Sequence, residues 1–126
     1  MIAVQPENCA PLARAMNHPD SWKEHFTPYA SIASGLAVPY PFGMDLMLDV
    51  IDSSGGEVVT VSEKEIIEGV KQIAQTEGLL LSPEASAAWK GVEFLLRKGK
   101  ITEGEKVLFL NTGSGYKYME SLSEHL

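Results

Sequence analysis

Glu57-Val58-Val59-Thr60-Val61 runs without a break into Ser62-Glu63-Lys64-Glu65. The first five residues are a β-branched run of the kind that fits a pleated, half-buried strand. The next four form a capping box, a serine with a glutamate three positions on. Ile66, Ile67, Val70, Ile73 and Ala74 then recur at spacings that place them on one helical face, and Gly78 is a helix terminator. Strand and helix alternate in this way along the chain, and that alternation points to a layered α/β domain. A second helix start follows at Ser82-Pro83-Glu84, with an N-cap serine, a proline in the first turn and an acidic side chain at the positive end. That helix carries Ala88, Val92, Leu95 and Leu96 and runs to Gly99, with Lys98 and Lys100 at its negative end.

The flanks extend the same pattern. Met1–Gln5 reads as a short buried strand ended by Pro6. A strand at the first residue has no turn or cap before it, as if the segment belonged to a larger unit. Asn8–Met16 predicts a short helix, Asn17-His18-Pro19-Asp20 a break, and Ser21–His25 a further helical turn. Residues 27–43 are rich in Pro, Gly and Ser. Ordered loops of that length are usually functional or packed against a partner. Met44–Ser53 predicts a buried helix stopped by Ser53-Ser54-Gly55-Gly56. Leu79-Leu80-Leu81 predicts a short buried segment, Val107–Leu110 a last strand, and Gly115–Leu122 a closing helix. The expectation is one α/β domain over residues 1–126.

Charge and cysteine usage narrow the function. The 126 residues carry a formal charge of −7, and Arg14 and Arg97 are the only arginines, far apart in sequence. Nucleic-acid binding needs clustered Lys and Arg, so no nucleic-acid surface is expected. No apolar run approaches spanning length and no signal peptide is visible, so no membrane role is expected either. The single cysteine, Cys9, cannot form an internal disulfide, which fits a cytoplasmic location. Cys9 has two readings: a thiol activated by a nearby helix start, or a small half-buried residue, the commoner case. His18, His25 and His125 have no partner at helical metal-ligand spacing, so no metal site is expected.

Chemistry is most legible in Asn111-Thr112-Gly113-Ser114-Gly115, directly after Val107–Leu110. In α/β sheets ligands bind beyond the carboxyl ends of strands. Glycines let a ligand approach the backbone, and Thr112 and Ser114 offer uncharged hydroxyls. The same residues could equally be a tight connector. The loop matches neither the Walker A pattern nor G-x-G-x-x-G, so no nucleotide fingerprint applies. Glu84 could face a site from the first turn of its helix or simply complement the helix dipole. No residue is legible as catalytic: there is no Ser-His-Asp arrangement, and Glu63 with Glu65 reads as a cap.

Five stretches, in order, resemble the C-terminal part of threonine synthase, a pyridoxal-phosphate enzyme of the tryptophan-synthase-β-like fold. Ile2-Ala3-Val4-Gln5-Pro6-Glu7-Asn8-Cys9-Ala10-Pro11-Leu12 resembles the strand and helix after that family's phosphate-binding glycine loop. Ala33-Ser34-Gly35-Leu36-Ala37-Val38-Pro39, Val59-Thr60-Val61-Ser62 through Glu65-Ile66, Glu77-Gly78 through Pro83-Glu84-Ala85-Ser86-Ala87-Ala88, and Asn111-Thr112-Gly113-Ser114-Gly115-Tyr116-Lys117-Tyr118 are similar to four further family segments. One departure is Ser86, where the family commonly has glycine.

The resemblance implies a three-layer α/β/α part of that fold, incomplete because the N-terminal half is absent. It implies that Thr112 contacts the pyridine nitrogen of the cofactor, with Asn111, Gly113, Ser114 and Glu84 near it. A neutral hydroxyl at that nitrogen suits replacement chemistry, in which the ring partner tunes the electron sink. The lysine that anchors the cofactor and the glycine loop for its phosphate belong to the family's N-terminal half. Lys23, Lys64, Lys71, Lys90, Lys98, Lys100, Lys106 and Lys117 lie in no setting like that of the anchoring lysine, Ser-Phe-Lys-Asp. The expectation is therefore a fragment that does not bind pyridoxal phosphate and is inactive alone. Its exposed apolar face would be covered by self-association into a homo-oligomer or by the missing N-terminal half. The complete enzyme, a lyase of threonine biosynthesis, would convert O-phosphohomoserine and water to threonine and phosphate. Two other readings stand beside it: a non-catalytic small-molecule or protein-binding module, and a fragment of a threonine dehydratase or cysteine synthase relative.

Overall fold

The computed structural model describes residues 1–126. Two short strands, β1 (Ile2–Pro6) and β2 (Glu57–Val61), pair in parallel. Ala3 lies opposite Val58 and Val4 opposite Val59, so each pair shares a face. Parallel strands cannot be joined by a tight turn. The crossover here contains α1 (Pro11–Asn17), the long loop and α2 (Met44–Ser53). After β2 come α3 (Glu63–Glu77), α4 (Pro83–Arg97), a 3-10 turn at Gly115–Tyr118 and α5 (Met119–Leu122).

The alternation along the strands sorts the helices into two layers. Ala3 and Val58 pack with Leu12, Ala15, Met44 and Ile51 of α1 and α2. Val4, Val59 and Val61 pack on the opposite face with Ile66, Ala87 and Leu95 of α3 and α4, and with Ala33 from the long loop. The result is helix, sheet, helix, as expected. The capping box forms as the sequence predicts: Ser62 Oγ accepts from the Glu65 N–H, and the Glu65 carboxylate accepts from the Ser62 N–H at 2.9 Å. Gly78 closes α3 at φ 69°, a left-handed conformation that glycine adopts without a Cβ clash.

Helices α3 and α4 cross where Gly69 meets Ser86. A Cβ on Gly69 would come within 2.3 Å of Ser86 Oγ. That hydroxyl is fully buried and donates to the Ile66 carbonyl at 2.5 Å. Ser86 therefore takes the space that Gly69 leaves and satisfies its own polar atom, pointing at α3.

Five expectations need correction. Val107–Leu110 forms no strand. The sheet has two members, and residues 106–112 make no backbone–backbone hydrogen bond. Leu108 is 88% exposed. The run has strand composition but no partner edge beside it. Of Leu79-Leu80-Leu81 only Leu81 is buried, because the chain is leaving α3 at the surface and only Leu81 meets α4. Helix α2 is half-exposed, with Met44 and Ile51 inward and Leu46 outward. The helix expected over Asn8–Met16 begins at Pro11, where a missing N–H costs nothing, and a 3-10 turn occupies Glu7–Cys9. Ser21–His25 is turn, not helix.

Candidate functional site

The loop after Val107–Leu110 is held from behind. Leu81 and Ser114 form an antiparallel bridge: the Gly115 N–H donates to the Leu80 carbonyl at 2.9 Å and the Ser82 N–H to the Gly113 carbonyl at 3.4 Å. A Cβ on Gly115 would lie 2.6 Å from the Leu81 carbonyl oxygen, so only glycine permits this approach. Ser114 Oγ accepts from the Tyr116 N–H and caps the short turn that follows. Asn111 and Thr112 stand exposed at the front of the loop with no hydrogen-bond partner within the chain.

A cavity of about 650 Å³ opens beside β1. Its walls are mostly apolar, among them Ile2, Val4, Leu36, Val92, Leu95 and Leu108. Three polar residues reach it: Ser54, Glu84 and Thr112. The structure thus brings Glu84 and Thr112 to one concavity, although 27 intervening positions separate them in the sequence. Asn111, Gly113 and Ser114 lie behind or beside that wall and do not line it. A second cavity, of about 580 Å³, lies between α1 and residues 25–29 and is lined by polar groups including Asn8, Arg14 and His25. The Arg14 guanidinium there is already taken up by the Trp22 and Glu24 carbonyls. An apolar hollow with a few convergent polar groups is the better ligand site of the two.

Glu84 occupies the first turn of α4, where its charge suits the helix dipole. It does more than that. Its Oε1 accepts from the Gly35 N–H at 2.9 Å and from the Tyr118 hydroxyl at 2.9 Å. Partial burial, followed by the Glu84 hydrogen bond and charge, pushes the Tyr118 phenol above its ordinary value, while a hydrogen bond with the Ser34 side chain acts the other way. Sequence reasoning assigned no role to Tyr118 or Gly35. Both sit inside quoted motifs, but a tyrosine–carboxylate contact across 34 positions leaves no periodic trace.

Cys9 is fully buried, and burial pushes its thiol up, so the activated-thiol reading is not supported and the packing one is. The structure has no cluster of three His, Cys, Asp or Glu side chains placed to hold a metal ion. No helix is long and apolar enough to cross a membrane.

The sequence pattern of the pyridoxal-phosphate dependent enzymes matches residues 1–113. The chain belongs to that family. Its similar relatives include threonine synthases. That of Methanocaldococcus jannaschii is 29% identical over 120 residues, covering 93% of this chain and 29% of the relative. That of Bacillus sp. (strain ULM1) is 32% identical over 87 residues, covering 69% and 25%. That of Methanosarcina acetivorans is 28% identical over 116 residues, covering 90% and 28%. The chain therefore spans between a quarter and three-tenths of the length of these relatives. Membership explains the three-layer architecture as part of the tryptophan-synthase-β-like fold.

The cavity fits one part of the family's cofactor. Apolar walls accept a flat aromatic ring, and the neutral Thr112 hydroxyl is a suitable partner for a ring nitrogen. The other parts are not matched. No lysine lines the cavity, so its walls offer no covalent anchor. The helix N-terminus beside it, that of α4, already carries Glu84, which disfavours a phosphate there.

Proposed function

We propose that this chain supplies the ring-side wall of the pyridoxal-phosphate site of a threonine synthase. On this reading it works only together with family elements outside these 126 residues, whether in a longer polypeptide or in a separate one. The observation that carries the reading is the convergence of Thr112 and Glu84 on one apolar cavity without a lysine in its walls. The completed enzyme would convert O-phosphohomoserine and water to threonine and phosphate.

When bound, pyridoxal phosphate supplies the electron sink for that chemistry. This chain's share is binding and orientation. Thr112 would offer the ring nitrogen a hydroxyl and no negative charge, which would limit how fully the nitrogen is protonated. The apolar walls exclude water from the ring face. Glu84 is a fixed anion at the rim whose Oε1 is already engaged by two donors, which suits orientation better than proton transfer.

The same reading accounts for the apolar surface. Met1, Leu108 and Leu110 are large, exposed and grouped at this cavity. Contiguous apolar surface of this kind marks a contact face. The upstream part of the enzyme is its proposed cover, and self-association replaces it when the chain is alone. A location in the cytoplasm belongs to the same proposal.

The test mixes the purified chain with the upstream segment of a threonine synthase, adds pyridoxal phosphate and O-phosphohomoserine, and measures phosphate release. Activity in the mixture and in neither part alone supports the proposal. Borohydride reduction of the chain alone with pyridoxal phosphate, followed by mass spectrometry, supplies the opposing outcome. Labelling of one lysine at unit stoichiometry would show a complete cofactor site within these residues and overturn it.

A further inference from the structure

Residues 106–112 make no backbone–backbone hydrogen bond, yet Thr112 holds a defined place on the cavity wall. Before it, Phe109 packs against Ile73, Leu81 and Ala85. After it, two further anchors are present. One is the bridge of Gly113 and Gly115 to residues 80–82. The other is Tyr118, six positions after Thr112, whose hydroxyl donates to Glu84 Oε1.

That same oxygen accepts from the Gly35 N–H. One carboxylate oxygen therefore ties together three chain segments: residues 33–38, the first turn of α4 and the turn at Gly115–Tyr118. The first two line the cavity through Leu36 and Glu84, and the third follows three positions after Thr112, which lines it as well. The contact is snug, since a Cβ on Gly35 would stand 3.1 Å from Glu84 Oε1. Glu84 itself is fixed at its base by Pro83 and by the Ser82 cap, whose Oγ accepts from the Ala85 N–H at 3.3 Å. The oxygen itself is held by its two donors, and Tyr118 is the arm that links it to the loop. A charged acceptor makes each of these bonds stronger than a neutral one would.

We infer that Tyr118, acting through Glu84, is a positioning residue that sets Thr112 at the cavity. This rests on the reading of Thr112 given above for its purpose, but the arrangement itself is a property of this chain without cofactor.

The test therefore uses the chain alone. Amide hydrogen exchange at Gly115, Ser82 and Gly35 reports the loop and its anchors, with Ile66 and Val70 in α3 as internal reference. Tyr118→Phe is expected to speed exchange at Gly115 and Ser82 about tenfold and to leave Ile66 and Val70 within about twofold, because only a local opening is affected. Glu84→Ala should do the same. Glu84→Gln, whose side-chain carbonyl still accepts both bonds, should retain most of the protection. Absorbance at 295 nm against pH adds a second readout: burial and then Glu84 raise the Tyr118 phenol, and Glu84→Gln removes the second cause while leaving the first. The latest-titrating tyrosine should vanish in Tyr118→Phe and titrate earlier in Glu84→Gln. Unchanged loop exchange in Tyr118→Phe, an equal rise in α3, or a 295 nm titration indifferent to Glu84→Gln would each overturn the inference. Failure of the mixing experiment with all of these results intact would instead remove the threonine synthase reading and leave the clamp standing.

Discussion

Glu57–Val61 and Val107–Leu110 are both short runs of strand-forming residues, the first followed by Ser62 and the second by Asn111-Thr112. The first is β2, paired residue for residue with β1 and buried on its Val59 and Val61 face. The second is extended chain, unpaired along its whole length, with Leu108 and Leu110 in solvent. Their compositions are alike and their surroundings are not. A strand exists only where a neighbour receives its hydrogen bonds. β2 has β1 on one side and helices on both faces. Val107–Leu110 has no neighbouring edge to pair with, and Phe109 packs it against Ile73, Leu81 and Ala85.

The contrast can be tested from its strong side first. Ile66→Ala empties a fully buried position beneath β2 and should cost about 2–5 kcal/mol in urea unfolding, as such core truncations do. A loss below about 1 kcal/mol would mean that the helix layer is less closely packed than its burial implies. Gly115→Ala comes next. The new Cβ meets the Leu81 carbonyl, and the bridge that supports the Thr112 loop must open or shift, at a cost of about 1–3 kcal/mol. Its signature is loss of the Leu81–Ser114 pairing in chemical shifts and exchange while the α3 amides stay protected.

Ser62→Ala removes the cap that joins β2 to α3 and should cost about 1 kcal/mol. It should also change the pH dependence. The Ser62 N–H and then its hydroxyl hold the Glu65 carboxyl below its ordinary range. A depressed folded value means a contribution fully present above the unfolded value and lost as pH falls through the folded one. Ser62→Ala removes the hydroxyl but keeps the backbone N–H, the larger cause, so wild type should lose only slightly more stability than the variant on acidification through the carboxylate range. Parallel curves would show that the hydroxyl does not hold the charge. The smallest effect belongs to the unpaired run: Leu108→Ser should change the stability of the chain alone by no more than about 0.5 kcal/mol. The same substitution should reduce self-association by light scattering, and a monomeric wild type at micromolar concentration would break the proposed cover for this face.

The two runs also show where sequence reading stops. Residues 57–78 were legible because every signal there is local: the β-branched run, the Ser62–Glu65 box, the 3–4 spacing and Gly78 all fall within one strand–helix unit. Val107–Leu110 carried the same local signal, but its partner edge is not encoded nearby, and composition could not report that. At the cavity, Thr112 and Glu84 were singled out because their motifs resemble known ones, and the structure brings both to one wall. Tyr118 was not, since its role depends on where Glu84 lies in space. Ser86 was legible as a departure but not in its direction: only the packing shows that it faces α3 and leaves the cavity alone.

The Gly69–Ser86 contact ties the histories of two positions together. A side chain at 69 has no room while Ser86 Oγ is in place, and glycine at 86 would vacate that room. Neither site can drift freely without regard to the other. Gly69→Ala should be harmful in the present background and tolerated beside Ser86→Gly, so the order in which the two changes occur decides whether a lineage passes through a poorly folded intermediate.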